Sequence, residues 1–321
     1  MKNKFKEITI IDYGTENGAH YHAVALSYQV FGKPLGEAPV VLVVHALTGN
    51  STVAGEEGWW SEVIGDGKVI DTQKYSVLAF DVPGNCFNEY VIDKYKNFTA
   101  RDIAKIFSAG LKSLGVKELF SAIGGSIGGG IIWELAALRP TLIQNLIPIA
   151  TDWKATDWMI ANTLVQEAIL NNSSNPIYDA RMHAMNLYRT PESYKLKFNR
   201  STNEELHVFN VESWLMHHGE KLQKRFQLTA YRMMNNLLRT VDITRGRGTM
   251  PEVVANIQSA IYIVAIDTDL FFTRKENHDD YLEMKKVKDN VYYDEIHSIH
   301  GHDAFLIEFD QLEKILSKIF K

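Results

Sequence analysis

A glycine-rich junction, Gly124-Gly125-Ser126-Ile127-Gly128-Gly129-Gly130, constrains this chain more than any other feature. It follows the apolar run Leu119 to Ile123 and precedes Ile131-Ile132-Trp133-Glu134-Leu135-Ala136-Ala137-Leu138. That pattern predicts a strand, a tight turn and a helix. A G-x-S-x-G at such a junction predicts a nucleophile elbow: the serine sits on a strained turn, and its hydroxyl projects from the end of a sheet. Small residues at 124 and 128 let strand and helix pass close together. The helix N-terminus adds a positive dipole and free N–H groups beside a developing oxyanion. A phosphate-binding glycine loop would need a lysine after the glycines or the order G-x-G-x-x-G, and neither is present.

The rest of the chain supplies the frame such an elbow requires. Residues 7–11 and 20–28 alternate in polarity on either side of Gly14 to Gly18, which predicts an antiparallel opening pair. Pro39 to Val44 is then continuously apolar, as expected of a strand buried on both faces. Similar runs recur at Ser76 to Phe80, Leu142 to Ile149, Ala260 to Ile266 and Val291 to Tyr293. Helix-length amphipathic stretches such as Ala100 to Leu114, Gly129 to Leu138 and Lys275 to Lys286 lie between most of them. The expected architecture is the α/β-hydrolase fold, a mostly parallel sheet with helices on both faces. From about Asp152 to Met250 no strand run stands out, and apolar residues recur at helical spacing. An inserted, all-helical cap is expected there. The chain thus divides into a first part of the core (1–151), the cap (152–250) and a second part of the core (251–321).

A serine hydroxyl needs a base, and in this fold the order along the chain is serine, acid, histidine. The segment His300-Gly301-His302-Asp303 follows the last strand, which makes His302 the candidate base over His297 and His300 in the same loop. The acid belongs after the strand Ala260 to Ile266, where Asp267 and Asp269 compete. Asp269 is preferred because it lies deeper in the loop, before an apolar run. Its role would be to hold the histidine tautomer and stabilise the imidazolium. An oxyanion hole needs two N–H donors, expected from Ile127 and, in the loop His45 to Asn50, from Leu47. His45 itself reads as a structural residue at a strand end.

Composition narrows the function further. The 321 residues carry a formal net charge of −5, which gives no reason to expect nucleic acid or an anionic membrane as partner. The single cysteine, Cys86, excludes an internal disulfide. No HExxH or CxxC suggests a metal site, and His217-His218 is an isolated pair. The basic start Met1 to Lys6 is followed by no apolar segment, and no run of 18 apolar residues occurs. A cytoplasmic enzyme with no membrane span is therefore expected.

Several motifs together resemble one family. They are His45-Ala46-Leu47-Thr48-Gly49, Gly58-Trp59-Trp60, Ile64-Gly65-Asp66-Gly67-Lys68, Asp71-Thr72-Gln73-Lys74-Tyr75, the elbow, Val211-Glu212-Ser213-Trp214-Leu215, Arg225-Phe226 and the ending Gly301-His302-Asp303-Ala304-Phe305-Leu306. From about residue 20 to 310 the chain resembles the homoserine O-acetyltransferases. The resemblance implies Ser126, Asp269 and His302 as the catalytic triad and Leu47 and Ile127 as oxyanion donors. It also implies that Arg181, Tyr188 and Asp303 handle an amino-acid acceptor, with the guanidinium gripping its carboxylate. Without the resemblance, Arg181 would read as a surface salt bridge of the cap. The implied substrates are acetyl-CoA, as co-substrate with no bound cofactor, and L-homoserine, within methionine biosynthesis; a homodimer is implied as well. The chain departs from the family in a shorter segment at 83–99, in Ile131 where many members have glutamine, and at Gln166-Glu167-Ala168-Ile169, which lacks a basic residue common there. The alternatives are an esterase of the same fold, or transfer from another acyl donor (succinyl-CoA) or to another small alcohol such as serine.

Overall fold

The computed structural model describes residues 5–321; the basic start Met1 to Lys4 lies outside the described residues. The main sheet has strands β1 (Lys6–Gly14), β2 (His20–Gly32), β3 (Val40–Val44), β4 (Ser76–Phe80), β5 (Leu119–Gly125), β6 (Ile143–Ile149), β7 (Ala260–Ile266) and β8 (Val291–Ile296). Their spatial order is β1-β2-β4-β3-β5-β6-β7-β8. β1 and β2 pair antiparallel, as do β2 and β4, and every later pairing is parallel. The α/β-hydrolase architecture expected from the alternation is the one present.

Burial explains the two kinds of strand pattern. β3 lies inside the sheet with helices on both sides, so all five of its residues are buried. Val40, Leu42 and Val44 join the core on one face, whereas Val41 and Val43 join the core on the other. β1 is an edge strand that faces water, and most of its residues are exposed.

Local signals set the helix starts. Helix α1 (Ala100–Ser113) opens on Thr99, whose hydroxyl accepts the Asp102 N–H while the Asp102 carboxylate accepts the Thr99 N–H, a reciprocal capping box. Helix α2 (Ile127–Leu138) follows β5 with no intervening loop but Ser126. Between β6 and β7 run α3 (Asp157–Asn172), α4 (Pro176–Tyr188), α5 (Pro191–Phe198), α6 (Asn210–Gln223) and α7 (Leu228–Leu238). This segment is not purely helical as expected. A two-residue strand pair, Thr202–Asn203 with Val208–Phe209, joins α5 to α6. Strands that short carry no period-2 pattern, and the turn between them depends on His207 adopting φ 51°. The core then closes with α8 (Met250–Asn256), α9 (Arg274–Lys285) and α10 (Phe309–Leu316).

A buried charge cluster fastens the end of the insertion to the core. Glu134 on α2 is fully buried; it accepts from Arg101 at 3.0 Å, from Arg247 at 2.9 Å and from the Asp242 backbone at 3.1 Å. Arg101 also pairs with Glu16 at 2.9 Å, and Arg245 reaches the same Glu16 at 2.8 Å. The stretch Thr244 to Thr249 is thus held by ion pairs to α2 and to the opening hairpin, and by a hydrogen bond from Arg101 of α1 to the Arg245 carbonyl. Among the described residues, no helix is long and apolar enough to cross a membrane.

Candidate active site

The parallel register brings the carboxyl ends of β3, β5, β7 and β8 to one edge of the sheet. Val44 lies opposite Gly124, and Ile266 opposite Ile296. The loops after these strands therefore meet, although they are far apart in sequence. Ser126 sits at the β5–α2 junction with φ 57° and ψ −130°, and it is 4% exposed. Such a conformation costs a non-glycine residue about 1–3 kcal/mol. Its neighbours explain why it is held. The Ser126 N–H donates to Ile149 O at 2.9 Å. A Cβ added at Gly124 would lie 2.6 Å from the backbone of Gly128, and one added at Gly128 would lie 2.3 Å from Val44 O. The turn is therefore closed to any larger residue at either position.

His302 lies in a six-residue 3-10 segment, Gly301–Leu306, and is 3% exposed. Its ring is walled by Tyr188, Phe271, Phe272 and Phe305, with centroids 5.2–5.7 Å away. Its Nδ1 lies 2.7 Å from Asp269 Oδ2. The other carboxylate oxygen of Asp269 accepts the Phe271 and Phe272 N–H groups at 2.7 and 3.0 Å. Asp269 is thus held from both sides, and a carboxylate facing Nδ1 keeps the proton there and leaves Nε2 as the basic nitrogen. The competing residues are occupied elsewhere. Asp267 binds His297 Nδ1 at 3.1 Å and the Ser298 N–H at 3.0 Å, and His300 Nδ1 lies 3.0 Å from Ser193 Oγ. Among the described residues the Ser126 hydroxyl has no hydrogen-bond partner; contacts between nucleophile and base often tighten only around substrate.

The N–H groups of Leu47 and Ile127 donate to no other group among the described residues. Both residues are buried, and the turn from Ala46 is closed by the Gly49 N–H on Ala46 O at 2.9 Å. His45 is fully buried. Its Nε2 accepts the Val82 N–H at 3.0 Å, so the proton is on Nδ1, which lies 2.7 Å from Ala46 O. Burial pushes its pKa down, against the pull of Asp81 and the Ala46 carbonyl. It fixes the end of β3 rather than acting as a second base.

The three acceptor candidates do not form one simple cluster. Tyr188 is buried against His302, and Arg181 lies over its ring at 5.6 Å. Burial pushes the Tyr188 hydroxyl up to about 12, with Arg181 pulling the other way. Arg181 forms no ion pair among the described residues. Asp303 instead pairs with Arg189 at 3.1 Å. Arg189 was not singled out from the sequence; its adjacency to Tyr188 in the cap segment is the only trace it left there. Arg225, beyond α6, carries no role in the sequence beyond its place in the Arg225-Phe226 motif. It donates to Thr48 O at 2.9 Å, in the turn that carries Leu47. The surroundings are basic: burial, then Arg181, His217, Lys221 and Arg189, push His218 down to about 4. A carboxylate would meet a favourable potential here.

Comparison with known proteins bears on the fold and the family. The family model described as alpha/beta hydrolase fold matches residues 39–206. A homoserine O-acetyltransferase of Carboxydothermus hydrogenoformans is 29% identical over 98% of this chain and 94% of its own length. One of Symbiobacterium thermophilum is 32% identical, covering 95% of this chain and 91% of its own. The crystal structure of a homoserine O-acetyltransferase from Bacillus anthracis superposes with a TM-score of 0.88 at 21% identity, covering 99% of this chain and 97% of the other. At that identity the structure speaks for the fold, while the sequence relatives, matched almost end to end, speak for the family. The chain belongs to the homoserine O-acetyltransferase family of the α/β-hydrolase fold and is an acyltransferase.

Proposed function

We propose that this enzyme moves an acetyl group from acetyl-CoA to the hydroxyl of L-homoserine in two half-reactions, as a step of methionine biosynthesis. In the first, His302 Nε2 takes the Ser126 proton while Oγ bonds to the thioester carbon. The Leu47 and Ile127 N–H groups bind the oxyanion. The C–S bond then breaks, and the thiolate leaves with the proton from Nε2. In the second, Nε2 takes the acceptor hydroxyl proton, the acceptor oxygen bonds to the acyl carbon, and Ser126 Oγ leaves and recovers its proton. The observation that carries this reading is the His302–Asp269 contact at 2.7 Å, at the sheet edge that also presents Ser126 and two N–H groups unpaired among the described residues.

Homoserine as acceptor is supported by the relatives' names and by Arg181, a guanidinium without a carboxylate partner among the described residues, over the Tyr188 ring that packs on His302. Arg181 would grip the acceptor carboxylate, Tyr188 would line its path, and Asp303 would take its ammonium. One observation favours hydrolysis as a second reading: Asp303 is already paired with Arg189, so its charge is shared before any ammonium arrives. A homodimer is supported by α3, whose exposed positions from Trp158 to Ala168 are all apolar, with Leu164 at 61% exposure. Incubating the enzyme with acetyl-CoA and a panel of amino-acid alcohols, and following thiol release and product mass, tests the proposal. Thiol release independent of any acceptor would favour the hydrolase. Intact-mass detection of an acetylated Ser126→Ala variant would remove Ser126 from the mechanism.

A further inference from the structure

Three side chains of the insertion each donate to a backbone carbonyl in a different loop of the candidate site. Arg225 reaches Thr48 O at 2.9 Å, in the loop that carries Leu47. Trp158, at the start of α3, gives its indole N–H to Leu270 O at 2.8 Å, one residue beyond Asp269. Thr190, between α4 and α5, gives its hydroxyl to Ile299 O, three residues before His302. The Arg189–Asp303 pair reinforces the last of these ties.

We propose that the insertion is a three-point clamp that sets the positions of the oxyanion, acid and histidine loops, with Arg225 as the positioning residue for the Leu47 N–H. The proposal rests on the roles assigned above to Ser126, Leu47, Asp269 and His302. Loops are the parts of a fold most free to move, yet catalytic groups work only when held within about 0.5 Å of their productive positions. The Ala46 to Gly49 turn has one internal hydrogen bond, from Gly49 to Ala46, and leaves the Leu47 N–H unpaired among the described residues. A further constraint on this turn, beside the His45 Nδ1–H on Ala46 O, comes from Arg225, whose guanidinium has no carboxylate partner among the described residues and gives a charge-assisted bond to the Thr48 carbonyl. Arg225 touches the turn from the cap side, so it acts through Leu47 and not on the acyl group.

The test uses p-nitrophenyl acetate, an ester that acylates Ser126 without needing an amino-acid acceptor. Ser126 Oγ bonds to the acyl carbon, p-nitrophenolate leaves, and the serine proton passes to His302. Arg225→Met should slow the burst of p-nitrophenolate tenfold or more, with KM and the thermal midpoint little changed; deleting an oxyanion donor outright costs about 10²–10³ in rate. Arg225→Lys, which keeps a cationic donor, should recover part of the loss. Trp158→Phe, which keeps an aromatic ring but has no indole N–H, should also slow the burst, and it provides an independent arm if Arg225→Met does not fold. Wild-type burst rates in Arg225→Met and Trp158→Phe would overturn the clamp while leaving the mechanism standing. A rate loss matched by a fall in thermal midpoint, with no recovery by lysine, would make these contacts structural and overturn it too. If the wild-type enzyme formed no acyl-enzyme at Ser126, the underlying mechanism would fail first.

Discussion

Replacing Asp269 with asparagine should nearly abolish turnover while leaving the fold intact, for a reason visible in its hydrogen bonds. One Asp269 oxygen accepts two backbone N–H groups, from Phe271 and Phe272, and the other faces His302 Nδ1. In the variant only the amide oxygen can accept those two N–H groups, so the NH₂ is forced toward His302. Nδ1 must then become the acceptor, and the proton moves to Nε2, the atom that in the proposed mechanism receives the Ser126 proton. A wrong tautomer of this kind costs about 10⁴ in rate, close to 5.4 kcal/mol of barrier. Stability should fall by no more than about 1–2 kcal/mol, because both backbone donors keep an acceptor. Asp267→Asn is the control: its partners are His297 and Ser298, so turnover should stay within tenfold of wild type. Thiol release in steady state and urea midpoints measure the two quantities. Asp269→Asn retaining a tenth of wild-type activity, or Asp267→Asn being the more damaged, would refute the assignment of the acid.

Arg181→Ala should slow transfer to homoserine far more than acylation by acetyl-CoA, so that an acetyl-enzyme accumulates in single-turnover experiments; equal slowing of both halves would make Arg181 structural. Glu134→Gln should lower unfolding free energy by about 3–5 kcal/mol, read from urea midpoints, because it removes the charge that faces half-buried Arg247 and leaves buried Arg101 with Glu16 alone. Asp280 is pushed up to about 6 by burial, with Glu276 and Asp279 adding to the rise and a hydrogen bond from Trp153 opposing it. Its folded form holds a proton that the unfolded chain has lost, so this group makes the protein less stable as pH rises from about 4 to 6, by up to about 3 kcal/mol. Asp280→Asn should therefore raise the thermal midpoint at pH 7.5 and change it little at pH 4; an equal effect at both values would contradict that origin.

The sequence by itself determined what depends on neighbours along the chain. Continuous apolar runs such as Val40 to Val44 mark strands covered on both faces, and glycine at 124 and 128 marks a turn where backbones nearly touch. The order serine, aspartate, histidine follows from strand order, so the fold and the neighbourhood of the site were legible. The two-residue strands at 202–203 and 208–209 were not, because nothing that short leaves a period. Tertiary structure decided what depends on the paths of loops. Asp267 and Asp269 end the same strand two residues apart, and only the turn that places the Phe271 and Phe272 N–H groups aims one of them at a histidine 33 positions away. Likewise His297, His300 and His302 share one loop, yet Asp267 and Asp269 of the β7 loop take the first and the last, and Ser193 of the insertion takes the middle one. The pairing of Asp303 with Arg189 and the reach of Arg225 to Thr48, across 177 positions, are of the same kind. Such contacts exist only once the insertion has packed over the sheet edge, and no local pattern of residues encodes the distance between them.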